Sequence, residues 1–144
     1  MTTTHTDPAA HPSATIDPGA VVGAGARVGP RATVGEGAVI GPRATVGRYA
    51  IIGPRAFVCD GARVRPGADV GRDARIGPRA FVGRDAHIGP GVVVCAGAPI
   101  SPQAFVCEGA TIDPRATVGR DAIIYPGVVV GAVVPAGAII EEDY

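Results

Sequence analysis

The stretch Ile76–His87, IGPRAFVGRDAH, and its counterpart Ile112–Ile123, IDPRATVGRDAI, carry the rule that governs the chain. Each begins with an aliphatic residue, places Ala four positions on, and returns to an aliphatic two positions later. Extended outwards, the rule holds without a miss: every sixth residue from Ile16 to Val130 is Ile or Val, twenty positions in all. The residue four further on is Ala at seventeen of nineteen positions, with Val92 and Val128 the exceptions. The residue directly after the aliphatic is Gly in twelve of the twenty. A second period lies on top, since Pro returns every twelve residues from Pro18 to Pro126.

A period of six fits neither a helix at 3.6 nor a long alternating strand at 2. It fits a chain that makes a short strand, turns a corner and makes another strand. The aliphatic points inward, its neighbours point outward, and Gly and Pro supply the bend. A narrow corner explains why the second inward position is nearly always Ala. One hexad cannot bury its aliphatic alone, whereas stacked coils can, which predicts an all-β, parallel β-helix.

Composition agrees. The 144 residues suit one domain. Thirteen basic and thirteen acidic residues cancel, so no electrostatic reason to bind nucleic acid or an anionic membrane is present. All thirteen basic residues are Arg, and the absence of Leu argues against a helical bundle. Gly and Pro make up a quarter of the chain, yet 47% of residues are hydrophobic, which excludes disorder through low hydrophobicity. Cys59, Cys95 and Cys107 are odd in number and lack metal-ligand spacing. The segment MTTTHTDPAAHPS shows no signal-peptide pattern, and Gly127–Ile140 is too short for a spanning helix and is interrupted by Pro135. A cytoplasmic protein is expected.

The [Ile/Val]-Gly-x-x-Ala-x motif, opened by HPSATIDPGAVVGAGARVG (His11–Gly29), resembles the hexapeptide-repeat superfamily of left-handed parallel β-helices. The resemblance spans about residues 10 to 140. It implies a left-handed helix with three hexads per eighteen-residue triangular coil, and assembly as a trimer about a threefold axis. On that register Ile16–Val130 makes six to seven coils, a prism of about 30 Å at roughly 4.8 Å per coil, with no inserted loop. The expected organisation is a flexible tail over residues 1–9, a β-helix over 10–140 and a C-terminal tail over 141–144.

Reading every eighteenth residue sorts the outward side chains onto three faces. The first carries Thr15, Thr33, Ile51, Asp69, His87, Phe105 and Ile123; the second Val21, Val39, Phe57, Arg75, Val93, Thr111 and Val129; the third Arg27, Thr45, Arg63, Phe81, Pro99 and Thr117. Five of the seven on the second face are Val or Phe, so the Val21, Val39, Phe57, Val93, Val129 stripe is expected to form the homotrimer contact.

Many members of the superfamily move acyl groups from CoA or acyl carrier protein to an amine or hydroxyl, often on a sugar. The resemblance therefore implies an acetyl-CoA-dependent O- or N-acetyltransferase with an inter-subunit active site, a His as general base and a small-molecule acceptor. Imidazole suits that role because it titrates near neutrality. Of the three His, His5 precedes the first hexad and His11 opens the HPSA turn, leaving His87 as the one that faces outward from a middle coil. Asp69, one coil before on the same face, is the residue expected to orient it. Arg115 and Arg120, near the C-terminal coils, are the residues expected to meet the phosphates of CoA. Most of the other Arg residues read as solvated corner charges.

Other chemistries fit less well. The cysteines occupy positions where Gly stands in other dodecads, so a small-residue exchange accounts for them, although Cys107 stands near His87 as a candidate nucleophile. The gamma-type carbonic anhydrases share the implied fold but hold zinc with three His between subunits, a set this chain lacks, so no metal is expected. GAGARVG (Gly23–Gly29) is a product of the repeat and not a dinucleotide loop. The Thr residues do not form the regular ranks of an ice-binding surface. Two departures from the superfamily bear on function: no loop covers a site, and the closing GAVVPAGAII is followed directly by EEDY. In addition Gly77-Pro78 stands where a His-Asp type sugar N-acetyltransferase keeps its base, which disfavours that subclass. The alternative is a non-catalytic β-helix scaffold or assembly subunit that binds through its apolar face.

Overall fold

The computed structural model describes residues 10–144; the tail expected over residues 1–9, with His5, lies outside the described residues. Twenty-two strands of two residues each run from β1 (Thr15–Ile16), β2 (Val21–Val22) and β3 (Arg27–Val28) to β22 (Ile139–Ile140). Every third strand joins the same sheet, giving three parallel sheets of eight, seven and seven strands, which start at β1, β2 and β3 and form the first, second and third faces of a solenoid of about 7 turns. Thr15 pairs with Thr33, Val21 with Val39 and Arg27 with Thr45, the eighteen-residue register expected of triangular coils.

Period-two alternation within each strand sends one residue out and one in. The inward strand aliphatics from Val28 to Val130 are at most 2% exposed, and each inward Ala from Ala26 to Ala122 is at most 1% exposed. Among the described residues no polar or charged side chain is buried. The core is therefore a single column of Ile, Val and Ala, and chemistry is confined to the surface of the prism.

The corners explain the rest of the repeat. At most of them the second turn residue has a positive φ: Gly at positions such as Gly25 and Gly91, but also Arg31, Arg43, Tyr49, Arg55, Asp73, Arg79, Asp85, Gln103 and Asp121, with φ between 56° and 63°. This conformation aims the corner N–H along the prism axis. Arg43 N–H donates to the Ala24 carbonyl at 3.0 Å, Asp73 N–H to Pro54 at 3.0 Å and Gly91 N–H to Arg72 at 2.9 Å, so from Arg43 onward the positive-φ corners are bonded to the coil before them. Gly19 and Arg115 do not take a positive φ. They follow Asp17-Pro18 and Asp113-Pro114, the two corners where Asp precedes the repeat Pro. Asp-Pro favours a type I turn, whose third residue keeps a negative φ.

Glycine directly after the inward aliphatic serves a different need. A Cβ on Gly83 would stand 2.5 Å from Pro102 N and Ser101 C of the next coil. The glycine N–H groups accordingly sit close to that coil, 2.6 Å from Gly41 to the Val58 carbonyl and 2.7 Å from Gly83 to Ile100, against 2.9 Å where Cys107 or Tyr125 stands.

The regular path ends at Val130. The corner Gly131–Ala132 is two residues shorter, so Thr117 pairs with Val133 and Ile123 with Ile139, sixteen residues apart. The segment 141–144 then turns back over the second face. Tyr144 N–H donates to the Val129 carbonyl at 2.9 Å, Gly131 N–H to the Tyr144 carbonyl at 2.7 Å, and Val129 N–H to Asp143 Oδ1 at 2.8 Å. These bonds cover an edge that an added strand would otherwise meet.

Two substitutions separate the roles of glycine. Gly83→Ala should cost about 1–3 kcal/mol, because backbone of the next coil must move. Gly91→Asn, at a corner with nothing within 4 Å of a new Cβ, should cost about 1 kcal/mol or less, since Asn accepts the left-handed region. Urea midpoints of the two variants check the order, and a neutral Gly83→Ala would contradict this view of coil spacing.

Candidate functional site

His87 projects from β13 (His87–Ile88), the fifth strand of the first face, while Ile88 beside it is buried. Asp69 lies directly opposite on the preceding coil, in β10 (Asp69–Val70), and Phe105 on the following one, in β16 (Phe105–Val106). His87 Nδ1 stands 4.0 Å from Asp69 Oδ2, with side chains 50% and 45% exposed. That is a charge contact rather than a hydrogen bond. On its other side the imidazole stacks on the Phe105 ring, centroids 4.5 Å apart and planes inclined by 27°. The ring is thus held between a carboxylate and an aromatic face with its edge open to solvent.

A shallow groove of about 350 Å³ runs alongside, lined by Asp69, His87, Pro90, Phe105, Cys107 and Glu108 among others. Its floor is open because Gly71 and Gly89 follow the inward aliphatics there, where the next two coils carry Cys107 and Tyr125. A second recess of about 440 Å³ adjoins it at Pro90 and Glu108 and reaches Arg55, Arg72 and Asp73. Arg55 Nε lies 3.0 Å from Asp73 Oδ1 and Arg72 Nε 3.9 Å from Asp73 Oδ2, so both guanidinium groups are turned toward one carboxylate.

The other candidate residues are distributed around the prism. Arg120 is exposed on the corner that leads into the first face, two coils beyond His87, whereas Arg115 is exposed on the corner between the second and third faces and is not brought near His87 in the same subunit. Glu108 lines the groove and Arg72 adjoins it, and neither composition nor the six-residue repeat distinguishes them; counting in steps of eighteen, which sets Arg72, Pro90 and Glu108 in one column, is the signal that finds them. His11 serves its turn: its Nδ1 accepts from Ser13 N–H at 3.1 Å, and Ser13 Oγ accepts from Arg31 N–H at 3.0 Å.

The three thiols are free and half-buried. Burial raises the Cys59 thiol above its ordinary value, partly countered by Arg75, and raises Cys95, with Asp113 adding to the effect. Both are therefore poorer nucleophiles than a free thiol. Cys107 lies in the groove. Among the described residues no group of His, Cys, Asp and Glu is placed to hold a metal ion.

Apolar exposure is concentrated on two faces. On the second, Val21, Phe57 and Val129 are 56%, 42% and 39% exposed, while Val39 and Val93 are half-buried. The first face adds Ile51, Phe105 and Ile139. The third is mainly polar apart from the exposed Val133 in its last strand, and its Phe81 is covered by the Arg65 guanidinium at 5.7 Å. No helix among the described residues is long and apolar enough to cross a membrane.

Known proteins agree with this architecture. The family described as bacterial transferase hexapeptide (six repeats) matches residues 13–48. No curated protein sequence matches the chain. Among solved structures, PerB from Caulobacter crescentus, determined in complex with CoA and GDP-perosamine, is 28% identical with a TM-score of 0.58, over 88% of this chain and 52% of its own. A UDP-N-acetylglucosamine acyltransferase from Campylobacter jejuni is 19% identical with a TM-score of 0.67, over 93% of this chain and 68% of its own. The corresponding enzyme from Francisella novicida is 15% identical with a TM-score of 0.68, over 90% and 63%. The chain spans between half and about two thirds of the length of these proteins, and the last two likenesses are of fold alone. The repeat, the three-sheet prism and these matches together show the hexapeptide-repeat, left-handed parallel β-helix fold, with residues 13–48 similar in sequence to the hexapeptide transferase family.

Proposed function

We propose that the protein is an acyltransferase that transfers an acetyl group from acetyl-CoA to a hydroxyl or amine of a small acceptor such as a sugar. In this reading it works in the cytoplasm as a homotrimer with the site between subunits. The observation that carries the proposal is His87, outward on a middle coil, set between Asp69 and the Phe105 ring at the side of an open groove. The solved complex of PerB with CoA and GDP-perosamine, on a similar prism, supports the choice of donor.

Acetyl-CoA supplies an acyl group already activated as a thioester. The chain's own residues do the rest. His87 takes the proton from the acceptor hydroxyl or amine as the new bond to the acyl carbon forms, and returns it to the departing sulfur, so the imidazole ends neutral. Asp69, on the Nδ1 side, positions the ring and favours its protonated form in transit. Phe105 limits ring rotation. Pro90, Val106 and Phe105 give the groove apolar walls suited to a thin pantetheine-like arm. Arg120 at the edge of the face, and Arg115 reaching from a neighbouring subunit, are assigned to the phosphates.

The trimer contact is assigned to the Val21, Val39, Phe57, Val93, Val129 stripe. A ring about a threefold axis joins two different patches of each subunit, and the exposed Ile51 and Ile139 of the first face offer the second one. A scaffold that binds a partner through the same stripe is the second reading, and ligand binding separates the two.

Acetyl-CoA at about 100 times its dissociation constant should add about 2.7 kcal/mol to native stability, visible as a saturable thermal shift. No shift at millimolar acetyl-CoA or CoA would favour the scaffold. His87→Ala should lower acetyl transfer by about 10²–10⁴-fold with the trimer intact in sedimentation. Asp69→Asn should lower kcat by less and leave KM for acetyl-CoA unchanged, the pattern of a positioning residue. Full activity in His87→Ala would remove His87 from the reaction.

A further inference from the structure

The lining of the groove has a consistent sign. Asp69 and Glu108 supply two carboxylates; among the described residues His87 is the only basic group there, and no Arg contributes to it. The guanidinium groups of Arg55 and Arg72 sit in the adjoining recess, turned toward Asp73. Phe105 has one ring face on His87 and is 48% exposed, which leaves aromatic surface toward the groove. Carboxylates and an aromatic ring, with the adjoining guanidinium groups turned toward Asp73, attract a positive charge. An anionic acceptor would be repelled by both carboxylates and would find no compensating Arg on this surface.

We infer that the groove selects a cationic amine, an ammonium-bearing molecule without a phosphate at its reacting end, held by Glu108 and Phe105. Binding stands on the groove alone, and the chemistry after binding rests on the acyl-transfer reading. His87 takes one proton from the ammonium and passes it to solvent. The freed amine forms the C–N bond as the thioester C–S bond breaks, and a second N–H proton goes to the departing sulfur, so an amide and a thiol are the products. Asp69 then has two effects in one place, ordering the imidazole and drawing the ammonium toward it. Glu108 is assigned to the acceptor alone.

Three probes of one shape and different charge test the inference on the full chain: glucosamine, glucose and glucose 6-phosphate. The chain has three His and three Phe, so the His87 imidazole and Phe105 ring signals can be followed by NMR during titration. The expected result is that glucosamine binds about tenfold more tightly than glucose, the sum of a screened charge pair and a cation–π contact, and that glucose 6-phosphate binds more weakly than glucose. Glu108→Gln should reduce the glucosamine preference several-fold and leave glucose unchanged. Equal binding of glucosamine and glucose, tightest binding of the phosphate, no binding of glucosamine, or an unchanged preference in Glu108→Gln would overturn it. Adding acetyl-CoA separates the two claims. Selective glucosamine binding without N-acetylation leaves the cation site standing and removes the transferase reading, whereas acetylation of glucose hydroxyls without a charge preference does the reverse.

Discussion

The hydrogen bonds that run along the prism axis at the corners are the interaction on which the rest depends. A left-handed φ costs an L-residue about 1–2 kcal/mol, yet Arg43, Arg55, Asp73, Arg79 and others accept it. The return is a corner N–H aimed at the carbonyl of the coil before, as in Arg43 to Ala24 at 3.0 Å. With Ala filling the narrow space inside each corner and Gly allowing the next coil to close in, successive coils keep one spacing. Residues eighteen apart then become neighbours wherever they occur, and the outward positions become a lattice on which a site can be written.

That division of labour accounts for how plain the molecule looks and how little of it is committed to chemistry. The core holds no polar side chain among the described residues, so nothing inside constrains which residues appear outside. Asp69, His87 and Phe105 meet because they share a column, and their neighbours in that column, Ile51 and Ile123, are ordinary β residues. The groove beside them exists because two glycines stand where Cys107 and Tyr125 stand further on. Exposed ion pairs such as Arg43–Asp60 at 3.3 Å add little to stability.

Much of this is legible in the sequence. The six-residue period leads to strand and corner, the Ala column to a narrow core, and the eighteen-residue step to the Asp69–His87–Phe105 column. Less legible is anything that depends on where a corner side chain points. Arg72 and Glu108 look like other corner charges until the columns are counted and the recess is seen between them. Arg115 resembles Arg43 and Arg79 as the residue after a repeat Pro, but Asp113 ahead of it changes the turn and its φ, a signal present in the sequence and easy to pass over. The shortened Gly131–Ala132 corner shows as a break in the six-residue rule. The return of Asp143 and Tyr144 onto Val129 and Gly131 has no repeat to announce it. Apolar residues on the first face are interleaved with Thr, Asp and His, so the more uniform second face hides them in a residue count, although both contribute exposed surface.

The central claim is that the groove at His87 is where an acyl donor and its acceptor meet. A crystal structure of the protein grown with CoA tests it most directly. Three copies should stand around a threefold axis, with the CoA thiol in the groove between Asp69 and Glu108 and within reach of the His87 ring. CoA bound on the third face, or its thiol end lying far from His87, would contradict it.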